Sequence, residues 1–116
     1  MEHTTRLRKN SQFRNAISRG KSSGNAILVL FAWKNGLEEG RIGVQVSKKV
    51  GKSVVRSRVT RLVRESFRLL EPKVAPGYDM VFIAKTPAKD ATYANVSQAA
   101  RQLLTRQGLL AREESS

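Results

Sequence analysis

The densest chemistry in the sequence lies between Lys48 and Arg68. Lys48, Lys49, Lys52, Arg56, Arg58, Arg61, Arg64 and Arg68 stand there with a single acid, Glu65. At about 100° per residue, Arg58, Arg61, Arg64 and Arg68 share one face of a helix. Val55, Val59, Leu62, Val63, Ser66 and Leu70 form the opposite stripe, with Phe67 at its margin and Arg56 at its edge. Arg61 and Arg64, and Arg64 and Arg68, are spaced to repel by a few tenths of a kcal/mol per pair. A helix anchored by one side and charged on the other suits a polyanion, phosphates foremost. A solvated face, a membrane surface or a calmodulin groove fits the helix alone. The membrane and calmodulin readings fit poorly with the strand and basic turn just before it.

Protein-borne catalysis finds little support. His3 is the only histidine and sits near the N-terminus, so a histidine-centred acid–base pair is not apparent. Gly51-Lys52-Ser53 resembles only the tail of a phosphate-binding loop, because the upstream glycine is missing. The nine acids are scattered, and none builds a convincing two-metal cluster. The chain of 116 residues carries a net charge of +13 and no cysteine, which excludes a disulfide framework and a thiolate metal site. Hydrophobic residues make up 40%, enough to fold rather than remain a disordered basic tail. No apolar run approaches the roughly 18–20 residues of a membrane span. MEHTTRLRKN has no apolar core, so no secretory signal is expected.

The elements that would position the cations follow from periodicity. Ile42, Val44 and Val46 alternate with polar or small residues, a half-buried strand that ends in the basic turn 48–52. Upstream, Asn10 or Ser11 is placed to cap a short helix carrying Phe13, Ala16 and Ile17, with Gly20 as its end. Residues 21–25 read as loop or edge strand. In the strand Ala26–Trp33, Ile27, Val29, Phe31 and Trp33 point one way and Leu28, Leu30 and Ala32 the other. Pro72, Pro76 and Gly77 turn the chain into a buried strand, Tyr78–Lys85. A last helix follows Asp90, with Tyr93, Val96, Ala100, Leu103, Leu104 and Gln107 in helical spacing and Gly108 as its stop. Segments 1–9 and 109–116 read as flexible tails. The expectation is one α/β domain over 1–116, a sandwich with helix, strands, helix, strand, helix in order and about four strands. Phe13, Phe31 and Trp33 suit either core packing or a platform on which unpaired bases stack.

The run Ser47-Lys48-Lys49-Val50-Gly51-Lys52-Ser53-Val54-Val55-Arg56-Ser57-Arg58, followed by Arg61-Leu62-Val63-Arg64-Glu65, resembles the signature of the protein subunit of bacterial ribonuclease P. Order, spacing and charge match. Ser57 stands where the family has Asn and Thr60 where it usually has Lys, and both changes remove RNA-contacting potential. The resemblance extends more loosely from Leu7 to Gly108. It implies a left-handed strand–helix–strand crossover, against the usual hand. It implies that an RNA subunit with bound magnesium carries catalysis, with no organic cofactor. The protein then raises substrate affinity and stabilises the active RNA. Lys48, Lys49, Lys52, Arg56, Ser57, Arg58, Arg61, Arg64 and Arg68 would bind that RNA. A cleft between the first helix and the sheet would hold the 5′ leader of precursor tRNA. Phe13 and Phe31 match the family's aromatics there, and Ile17 stands where some relatives carry a second one. The implied partners are the catalytic RNA and precursor tRNA, in the cytoplasm, with no membrane and no further protein. A ribosomal or other structural RNA-binding protein is the alternative. A major-groove DNA binder is the third reading, weakened by the absence of an apparent dimer interface.

Overall fold

Branched and aromatic residues alternate along the strands, and the alternation divides the protein into two apolar clusters. A computed structural model describes residues 1–111. The order is β1 (Thr4–Arg6), α1 (Asn10–Arg19), β2 (Lys21–Gly24), β3 (Leu28–Lys34), β4 (Gly40–Val46), α2 (Ser53–Leu70), β5 (Tyr78–Ala84) and α3 (Tyr93–Arg106). One sheet runs β1-β4-β5-β3-β2. β4 is parallel to both β1 and β5, whereas β3 is antiparallel to β5 and β2. The parallel neighbours β4 and β5 are joined through α2, the crossover unit that the resemblance implies.

Leu28, Leu30 and Ala32 of β3 and Met80, Phe82 and Ala84 of β5 face the larger cluster. Val59, Val63, Phe67 and Leu70 of α2 close it, with Val96, Ala100, Leu103 and Leu104 of α3. Ser66 lies in the same buried stripe because its hydroxyl donates to Leu62 O at 2.7 Å, which satisfies it inside the helix. Phe67 is fully buried rather than marginal, and its ring meets Phe82 edge-on at 6.3 Å between centroids. Gln107, on the apolar side of α3, reaches Lys21 O, Ser23 Oγ and Leu30 O with its amide nitrogen. It ties the edge strand to the helix.

The other sheet face carries Val81, Ile83 and Phe31, covered in part by Phe13, Ala16 and Ile17 of α1. The helix approaches closely because Gly43 lies beneath it. A Cβ on that glycine would fall 2.2 Å from Phe13 Cε1. Gly20 ends α1 as expected, but in extended backbone at φ −75°. Its lack of a side chain answers the carbonyl of Ala16, which a Cβ would approach to 2.3 Å. The N-cap of α1 is Lys9, not Asn10 or Ser11, and Gln12 Oε1 accepts from the backbone N–H groups of Arg8 and Lys9.

Two expectations change. Residues 1–9 are not frayed. Thr4–Arg6 pairs with Gly40–Ile42, Leu7 N–H donates to Ile42 O at 2.8 Å, and Thr4 and Leu7 are buried. This segment is the fifth strand, one more than the periodicity indicated. At the other end, Leu109 and Leu110 are buried and Leu110 bridges to Val74. The rest of that expected tail, 112–116, lies outside the described residues.

Candidate nucleic-acid interface

Helix α2 begins without an acid in its first turn, and its N-cap, Lys52, makes no capping bond with its side chain. The positive end of the helix dipole therefore adds to Lys48, Lys49 and Lys52, all exposed. Further along, α2 faces the edge formed by β4 and β1 across a groove of about 870 Å³. Arg56, Ser57, Arg61, Arg64 and Arg68 line it, together with Thr60 and Arg6 of β1. Glu65 is also there, but Arg68 already engages it through two hydrogen bonds. That pairing lowers the pKa of Glu65. Burial first, and then the charge of Arg6, lower the pKa of Arg64. Arg56 has a buried Nε with no protein partner. The groove thus holds more positive charge and more free donors than the protein satisfies, which is the electrostatic condition for binding phosphates.

The structure brings half of the eight expected cations, Arg56, Arg61, Arg64 and Arg68, to this groove. Arg58 is turned aside: its guanidinium donates to Ala91 O at 2.9 Å and Lys89 O at 3.3 Å, bracing α2 against the turn before α3. Lys48, Lys49 and Lys52 extend the positive surface without lining the groove. Phe13, Ile17 and Phe31 do come together, each half-buried on the α1 face of the sheet. Val29 and Trp33, also half-buried, continue their row along β3. A second hollow of about 680 Å³ lies between Asn25 and α3. Its Asn25 amide and Arg106 are spent on Ala99 O, Gln102 and Gly24 O, so it carries less free chemistry than the arginine groove.

Nothing in the local sequence pattern marks Arg6 or Glu71. A strand of three residues has no readable period, and a glutamate following a helix looks like a solvent-facing end. Glu71 is instead fully buried and accepts from the backbone N–H groups of His3 at 2.8 Å and Glu2 at 3.0 Å. The His3 ring lies 3.3 Å away. Burial pushes the Glu71 carboxyl up, but these donors and the Thr4 hydroxyl outweigh it and hold the group below its ordinary value. A depressed carboxyl pKa stabilises the fold fully above the unfolded value, and the stabilisation is lost as pH falls through the folded value. Lowering the pH below about 4 is therefore expected to loosen β1, seen as loss of protection at the Leu7 and Gly40 amides. The same acid-induced loss of protection in a Glu71→Gln variant would show that Glu71 ionisation does not hold the strand. Glu2, His3 and Glu71 are also near enough to be considered as metal ligands. The donors already on the Glu71 oxygens make the trio a poor fit for a resident magnesium ion.

A family model described as Ribonuclease P matches residues 1–108. The ribonuclease P protein component of Clostridium novyi is 47% identical over 111 residues, covering 94% of this chain and 98% of that protein. That of Alkaliphilus oremlandii is 44% identical over 110 residues, covering 95% and 96%. Among solved structures, the ribonuclease P protein of Staphylococcus aureus superposes with a TM-score of 0.83 at 29% identity, covering 90% of this chain and 96% of that one. The Thermotoga maritima protein gives 0.75 at 30%, covering 95% and 98%. With its basic groove, its fold and nearly its whole length accounted for, the chain belongs to the ribonuclease P protein family.

Proposed function

We propose that the two surfaces divide the work of RNA recognition, within a protein that is the tRNA-processing subunit of the ribonuclease P ribonucleoprotein. The α2 groove and the lysines before it hold the catalytic RNA subunit. The α1 face, with Phe13, Ile17 and Phe31, receives the unpaired 5′ leader of precursor tRNA. Guanidinium groups suit the backbone of a folded RNA, while half-buried rings suit unstacked bases. The observation that carries this reading is the segregation itself. Arg6, Arg56, Arg61, Arg64 and Arg68 line the α2 groove, and the aromatic cluster occupies the opposite face of the sheet.

The protein contributes binding and the RNA contributes catalysis, with magnesium held mainly by the RNA. Among the described residues there is no histidine–carboxylate pair free of a structural duty: His3 and Glu71 serve the N-terminal strand. The protein works in the cytoplasm and needs no other protein for assembly. No helix of the described residues is long and apolar enough to cross a membrane.

Reconstitution tests this directly. Mixed with a bacterial ribonuclease P RNA at low magnesium, the protein is expected to restore precursor-tRNA cleavage, and RNA-free protein to cleave nothing at any magnesium level. Binding without rescue would instead favour a purely structural RNA-binding role, and cleavage by protein alone would place the chemistry in the wrong partner.

A further inference from the structure

The N-terminal strand reaches the arginine groove, held there by its pairing with β4 and by one buried carboxylate. β1 is an edge strand of three residues, too short to hold itself by its ladder to β4 alone. Its backbone is fastened from both sides. His3 O accepts from Gly40 N–H, and Leu7 N–H donates to Ile42 O, both at 2.8 Å. Behind the strand, Glu71 at the end of α2 accepts from the amides of residues 2 and 3. A carboxylate accepting two backbone N–H bonds out of water is a strong, directional tie. The strand so held places Arg6 in the groove, within electrostatic range of Arg64. Two guanidinium groups brought together by different elements repel one another, and the cost is relieved when an anion sits between them. Arg56, whose buried Nε has no protein partner, lines the same groove.

We infer that Arg6 is a phosphate-binding residue of the RNA interface, acting beside Arg64, and that Glu71 is its positioning residue, docking β1 so that Arg6 enters the groove. The inference rests on the reading that the groove binds RNA. It adds to that reading a cation from outside α2 and a buried acid that touches no RNA. The apparent paradox of an acid promoting binding to a polyanion resolves because the acid is buried and spent on the N-terminal segment: the amides of residues 2 and 3, the Thr4 hydroxyl and the His3 ring.

The test uses full-length protein and a bacterial ribonuclease P RNA as the probe, with affinity measured across a salt series. Arg6→Ala is expected to weaken binding about tenfold and to reduce the salt slope by about one phosphate, with an unchanged melt. Glu71→Gln and Glu71→Ala are expected to speed amide exchange at Leu7 and Gly40, and to reproduce the loss of affinity and slope. Adding Arg6→Ala to either is expected to cost nothing more, because the two act through one contact. Additive losses would refute positioning by Glu71. Normal affinity with Arg6→Ala would refute the phosphate contact, and that variant needs no change at Glu71, so a Glu71 variant that fails to fold leaves the test standing. Arg61→Ala separates the levels: if it weakens binding while Arg6→Ala does not, this inference alone fails, and if neither does, the groove is not the RNA site.

Discussion

Raising the salt from about 50 to about 200 mM should weaken binding to the RNA subunit roughly 100- to 500-fold. The figure follows from about five phosphates, met by the four groove arginines not paired with Glu65 and by the lysines before α2, at about −0.7 to −0.9 in slope per phosphate. Few other features of the protein have so large an expected effect. The groove carries Arg6, Arg56, Arg61, Arg64 and Arg68, and its one acid, Glu65, already pairs with Arg68. Each groove cation that meets a phosphate releases counterions condensed on the RNA, which is what the salt slope reads. Arg61→Ala should lower the slope by about one unit for every substrate. The measurement is a filter-binding or fluorescence titration at several salt concentrations. A slope near zero would mean that the arginines do not meet phosphates.

Phe13→Ala should weaken binding of leader-bearing precursor tRNA by roughly 5- to 150-fold, the equivalent of about 1–3 kcal/mol for one stacked base. Mature tRNA should be nearly unaffected, and so should assembly with the RNA subunit. The phenotype is separable from Arg61→Ala, which acts on assembly whatever the substrate. Phe13 also has a packing role, because its ring sits over Gly43 in the cluster with Leu7, Val81 and Ile83. A thermal melt must accompany the binding assay, since truncation of a fully buried Phe costs about 3–5 kcal/mol and a half-buried one costs less. A variant that melts normally and keeps the wild-type ratio of precursor to mature affinity would return Phe13 to the core.

Local pattern alone makes α2 legible in the sequence. Val59, Val63, Ser66 and Leu70 bury as the helical period requires. Phe67 departs from the margin because α2 is covered on two sides, by the sheet and by α3, so the buried arc is wider than one stripe. Arg58 reads as part of the charged face, and its position is right, but the carbonyls that engage it come from 31 and 33 residues away. β1 was invisible for the same kind of reason. Three residues carry no period, and what makes them a strand is a partner at 40–42 and an acid at 71. Long-range pairing, not propensity, decided each of these, so no window along the chain contained the signal.

The sheet order has a consequence for how the protein is made. Among the described residues β5 is the last strand in sequence, and it is the middle strand of the sheet. While residues up to 77 emerge from the ribosome, β2 and β3 can pair as a hairpin and β1 can find β4, but the two halves share no ladder. Only the arrival of Tyr78–Ala84 joins them, parallel to one half and antiparallel to the other. Folding is thereby postponed to the end of synthesis and dominated by distant contacts, the regime of slow closure. A product that stops short of Tyr78 would carry two unjoined sheet edges, each an open template for the next unfinished copy.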